Sequence, residues 1–231
     1  MSIRDAILFF WRVTPVRVYL RVVLFLLPIM AVWAELQTRG ASETAVICLL
    51  LVQALAVSTG FESHASRGYY DPPLALCSRR RAAAAHFVAS ALPGVAAWIA
   101  IGIVETVAGG GALALAFRPA SLLALALVST LPWAVSVRFG PFTGGVAWLI
   151  LWGALFLTGR GFRLIPLFQG AEPQGTVLVR TAAGILLPFF LPSAPWRPVE
   201  LLLFGLTAAG AAATAAGYLG RASFPLRESD S

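Results

Sequence analysis

Scanned for alternation of apolar and polar positions, the chain shows long apolar runs separated by short loops that carry arginine. Six runs approach the roughly 20 residues a helix needs to cross about 30 Å of hydrocarbon. They are Val18 to Leu36, Thr44 to Phe61, Ala82 to Val104, Pro119 to Val137, Phe142 to Thr158 and Pro198 to Gly220. The second, fourth and fifth hold no charge. The first carries Arg21 near its start and is broken by Pro28, the third holds His86, and the sixth has Glu200 in its first turn. One further stretch, 181–197, is apolar but short and contains Pro188, Pro192 and Pro195. Prolines remove amide donors and interrupt a helix, and irregular backbone at membrane depth must pack against protein. This stretch reads as a re-entrant or interfacial hairpin feeding the last span, with a seventh span as the alternative.

The first residues follow a different pattern. In SIRDAILFFWRVTPVR, helical spacing gathers Arg4, Asp5 and Arg12 on one side and leaves Ile7, Phe9, Phe10 and Val13 on the other. Pro15 separates this segment from the first span. An amphipathic helix of this kind suits the membrane–water boundary, so residues 1–17 are expected to form an interfacial elbow. Arg12, Arg17 and Arg21 break any apolar core that a cleaved signal peptide would need. The predicted organisation is all-α and integral to the membrane: an elbow at 1–17, six transmembrane helices within 18–220, and a tail at 221–231. Within the membrane domain, 62–81 is a polar loop and 181–197 is the outer hairpin.

Composition agrees with the pattern. Of 231 residues, 59% are hydrophobic and 12% charged, where a soluble domain carries about a quarter charged. That excludes a water-soluble enzyme. The net charge of +7 comes from arginine alone, for the chain has no lysine. A phosphate-binding P-loop and a lysine Schiff base are therefore both excluded. Arginines beside apolar runs set orientation in a bilayer, so nucleic acid is not the expected partner. With both termini inside, the cytoplasmic pieces hold Arg4, Arg12, Arg17, Arg21, Arg67, Arg79, Arg80, Arg81, Arg138, Arg221 and Arg227. The outer pieces hold Arg39, Arg118, Arg160, Arg163, Arg180 and Arg197. The excess lies in the direction of the positive-inside rule.

The chemistry inventory is sparse. Cys48 sits in an apolar run and Cys77 in the polar loop, and neither pairs with His64 or His86 at a metal-ligand spacing. No metal or cofactor is expected. Glu105, Glu200 and His86 fall near span ends, where water is expected to reach them. No nucleophile elbow, zinc-protease motif or paired-carboxylate motif is present, so no catalytic residue is assigned and the chain is not expected to be an enzyme. In the last span Gly205, Ala209, Ala213 and Gly217 recur every four residues, a small-residue face suited to close helix packing.

The loop FESHASRGYYDPPLALCSRRRAAAAHF is the most polar part outside the tail. Asp71 can cap a helix and Pro72 suits its first turn, giving a short helix over 72–78 that exposes Leu74 and Leu76. Together, the elbow, the six spans, this loop and the proline-rich hairpin resemble the permease subunits of type-2 ABC exporters. The resemblance is carried in the loop by Glu62, Arg67–Gly68, Asp71, Leu74, Leu76 and Ser78–Arg79. It implies a coupling helix that docks on a separate ABC ATPase subunit, and a translocation path shared with a second permease copy or a related subunit. It also implies a bacterial inner-membrane location. The Pro72–Pro73 pair departs from the family pattern. A non-transporting anchor or assembly subunit, and the membrane subunit of a haem-export apparatus, have similar layouts and stay open as alternatives.

Overall fold

A computed structural model describes residues 1–13, 46, 49, 50, 52–54, 57, 73, 76–108, 115–139, 150, 151, 176–193 and 195–221. Among them every regular element is helical. The α-helices are α1 (Ile3–Val13), α2 (Arg79–Ala108), α3 (Pro119–Phe139), α4 (Val177–Leu186) and α5 (Pro198–Arg221), with 3₁₀ turns at Leu115–Phe117 and Pro188–Ser193. Helices α2, α3 and α5 are each long and apolar enough to cross a membrane. The expected first span lies outside the described residues. Of the expected second, Val46, Leu49, Leu50, Val52, Gln53, Ala54 and Val57 are helical; of the fifth, Ile150 and Leu151 are.

Helix starts follow their local chemistry. At α1, the Ser2 hydroxyl accepts the Asp5 amide at 3.2 Å, while the Asp5 carboxylate accepts the Ser2 amide at 3.2 Å. This reciprocal box satisfies amides that a helix start leaves open. Helices α3 and α5 both begin with proline, which loses no bond there. The Arg197 amide donates to the Glu200 carboxylate at 2.8 Å, and the Arg197 carbonyl accepts the Glu200 amide at 3.0 Å. Helix α2 runs 30 residues, about 45 Å, and starts earlier than the apolar pattern implies because the arginine triplet is wound into its first turn.

The direction of each helix is fixed by its contacts. Near one end, the Trp98 indole of α2 donates to the Ala116 carbonyl at 2.8 Å, just before α3 begins. At the other end, the Arg138 guanidinium of α3 lies 4.8 Å from the Tyr218 ring centre of α5. So α3 and α5 run parallel and α2 runs against them. Arg4, Arg12, Arg79, Arg80, Arg81, Arg138 and Arg221 consequently share one end, where Asp5 is the single acid among the described residues. The opposite end holds Arg118, Arg180 and Arg197 with Glu105 and Glu200.

The buried apolar residues form two clusters. One gathers Leu49, Leu50, Trp98, Ile101, Leu127, Val128, Leu187, Leu191 and Phe204. The second gathers Ala6, Phe10, Val57, Ala85, Ala89, Trp133, Val137, Ala215 and Leu219, closed at its end by α1. Along α2 and α3 the change from one cluster to the other falls around Pro93 and Pro132, the prolines inside these helices. A proline has no amide to donate and releases the carbonyl four residues earlier, here Ala89 and Val128.

Candidate functional site

Three polar arrangements stand out against this apolar frame: a basic corner, a buried contact at mid-height, and an ion pair at the far end. The corner joins α1 to the start of α2. Pro73 and Leu76 are helical, and the Cys77 amide donates to the Pro73 carbonyl at 2.9 Å, one helical turn. The Ser78 carbonyl then accepts the Ala82 amide at 3.0 Å, leading into α2. Leu76 is 62% exposed, and Ser78, Arg79, Arg80 and Arg81 are exposed beside it. The Met1 nitrogen donates to the Leu76 carbonyl at 3.0 Å, so α1 is tied directly to the loop. Phe10 of α1 meets the buried His86 ring edge-on, with centres 5.2 Å apart.

Helix physics alone does not favour this corner. Cations in a first turn oppose the positive end of the helix dipole, typically by 0.3–1 kcal/mol each at the surface, and the first turn of α2 holds no acid. The triplet is a charge feature imposed on the helix. Glu62, Arg67, Gly68, Asp71 and Leu74, which the loop pattern also singled out, lie outside the described residues. Asp5, exposed on α1, has its carboxyl held below the ordinary 3.8, first by the Ser2 hydroxyl and then by the Ser2 amide.

At mid-height the buried Gln53 carboxamide donates to the Ser129 hydroxyl of α3 at 3.0 Å and to the Ala91 carbonyl of α2 at 3.3 Å. Gly94 makes this possible, because a Cβ there would collide with the Gln53 carboxamide. The contact sits at the level of both prolines. Gln53 carried no signal in the sequence, where a single amide in an apolar run is unremarkable.

At the far end Arg180 of α4 and Glu200 of α5 are both fully buried and joined at 2.8 Å. A second guanidinium nitrogen donates to the Pro195 carbonyl at 2.7 Å and reaches Glu200 at 3.4 Å. The guanidinium also lies 4.9 Å from the Trp196 ring centre. Trp196 stands edge-on to Phe204, and Gly184 leaves room for both: a Cβ would fall 2.6 Å from Phe204. Helix α4 has 10 residues, about 15 Å, half a crossing. It and the 3₁₀ turn fold back on α3 and α5.

Water access is where the expectation fails. Glu200 and His86 are fully buried and Glu105 is 8% exposed. They lie at span ends as expected, but protein covers them. Glu105 of α2 accepts the Ala116 amide at 3.0 Å, tying the 3₁₀ turn Leu115–Phe117 to α2. Arg180, counted in the sequence as a loop charge, is a buried partner. The clue was available: two opposite charges flank a proline-rich stretch inside apolar sequence. In the row Gly205, Ala209, Ala213 and Gly217, Ala209 and Ala213 are exposed and Gly205 and Gly217 half-buried, with Gly205 facing Leu123 of α3. The inward row is Phe204, Ala208, Ala215 and Leu219. Among the described residues no group of three or more His, Cys, Asp or Glu could hold a metal ion.

Compared with protein-family models, curated proteins and solved structures, the chain matches none.

Proposed function

We propose that this chain is the membrane-spanning permease subunit of an ABC-type exporter. It forms the translocation path with a second copy or a related subunit and draws on nucleotide hydrolysis by a separate ATPase. The observation that carries this reading is the corner: an exposed leucine and an exposed arginine triplet, bonded to α1 and continuous with the longest crossing helix. A partner gripping Leu76 and Arg79 acts on α1 and α2 together. The positive-inside rule assigns this arginine-rich end to the cytosol, where an ATPase is available. Further support comes from mid-height, where two proline-weakened helices and one buried carboxamide meet, a level at which the bundle can bend. An ATPase shifts such an equilibrium only by binding one conformation better than the other.

The test is co-purification of an ATPase subunit from native membranes with wild-type chain, Leu76→Asp and Leu74→Asp/Leu76→Asp. The expected result is an ATPase that accompanies the wild type and is lost from the double variant, with the variant still in the membrane. Equal recovery from both would reject the docking corner. Recovery of redox or assembly proteins with no ATPase would favour the anchor-subunit alternative.

A further inference from the structure

A groove of ≈ 620 Å³ runs between the last turns of α3 and α5 on the arginine-rich half of the bundle. Its floor is apolar or small: Leu131 and Val135 from α3, Gly210 and Thr214 from α5. The Thr214 hydroxyl is turned back onto its own helix, donating to the Gly210 carbonyl at 3.0 Å, so it asks nothing polar of an occupant. At one end of the groove stand Arg138 and Tyr218. Arg138 is exposed, and its described contact is with the face of the Tyr218 ring. A Cβ on Gly210 would meet nothing within 4 Å, so the groove is open at its middle.

We infer that this groove holds one acyl chain of an anionic phospholipid, with its phosphate on Arg138. The volume lies in the range that encloses a drug-sized ligand. From Leu131 to Arg138 the wall is about 10 Å long, and from Thr207 to Tyr218 about 16 Å; both walls belong to helices long and apolar enough to cross a membrane, so a lipid tail can lie along them. Charge decides between occupants. A helix of a second copy would fit the small residues but offers the exposed Arg138 no anionic partner, whereas a lipid supplies both an apolar tail and a phosphate. A phosphodiester at the headgroup level satisfies it, and basic pockets between transmembrane helices on the arginine-rich side are the expected seats of anionic headgroups. The site is independent of the exporter reading.

The test is native mass spectrometry of the full chain in detergent with added phosphatidylglycerol, phosphatidylcholine of the same acyl length, or inorganic phosphate. One phosphatidylglycerol should be retained per chain, in preference to phosphatidylcholine, and phosphate should not compete for it. Arg138→Gln should weaken retention about fivefold, and Arg138→Lys should preserve it. Gly210→Trp, which fills the groove, should abolish it, whereas Arg118→Gln at the opposite end should leave it unchanged. Equal retention by Arg138→Gln and Gly210→Trp would overturn the assignment. So would indifference between the two lipids, displacement by phosphate, or a two-chain species that Gly210→Trp dissociates.

Discussion

Removing Glu200 should be among the most damaging single changes in the described structure. Glu200→Ala removes the Glu200 carboxylate from Arg180 and leaves the guanidinium fully buried. It also removes the acceptor for the Arg197 amide at the start of α5. Breaking one side of a buried ion pair costs about 3–5 kcal/mol, because the survivor is an uncompensated buried charge. In a chain of this size that corresponds to a fall in unfolding temperature of about 6–20 °C. Arg180→Met should lose a similar amount for the mirror-image reason. The double variant Arg180→Met/Glu200→Leu leaves no charge behind and should recover most of the loss, since well-packed apolar replacements of buried pairs are often neutral. A double-mutant cycle read by thermal unfolding in detergent isolates the coupling. Additive losses in the double variant would refute the pair as drawn. So would single variants within about 1 kcal/mol of wild type, a value expected of a solvated surface pair.

Two further outcomes follow from other contacts. Gly94→Ala should push the Gln53 carboxamide off Ser129 and Ala91, costing about 1–2 kcal/mol; Gln53→Ser in the same chain should relieve most of it, and equal losses with and without Gln53→Ser would contradict the contact. Because the folded Asp5 carboxyl titrates below 3.8, its capping contribution to α1 is fully present above that pH and is lost as pH falls through the lower folded value. A ¹³C titration of Asp5 should show the depressed midpoint in wild type and a return toward the ordinary one in Ser2→Ala.

The long apolar helices were legible because their signal is long. Uninterrupted apolar runs placed α3 and α5 within two residues of their observed ends, and the spacing of Arg4, Arg12 and the phenylalanines gave α1. The start of α2 was missed because hydropathy stops at a charge, whereas an arginine can be helical wherever its side chain reaches water. Pro188, Pro192 and Pro195 were legible as an interruption of helix, but the 10-residue helix Val177–Leu186 that leads into them was not. The polar contacts were mostly hidden. Partners such as Arg180 and Glu200, 20 positions apart, meet only through tertiary packing, and periodicity carries no record of who faces whom. Exposure of Leu76 was readable, since it sits in the most polar loop of the chain outside the tail. Burial of His86 and Glu105 was not, because proximity to a span end says nothing about which element covers it.

The coincidence of Pro93, Pro132 and Gln53 at one level has a mechanical consequence. Each helix lacks a rung of its ladder at the place where the apolar packing changes from one cluster to the other, and a single carboxamide staples the two weak turns to a third segment. The apolar packing is thereby split into two clusters on either side of one weak level. Amide hydrogen exchange should register them as two cooperative units with distinct opening energies, and loss of the staple should bring the openings on either side of the waist closer to independence.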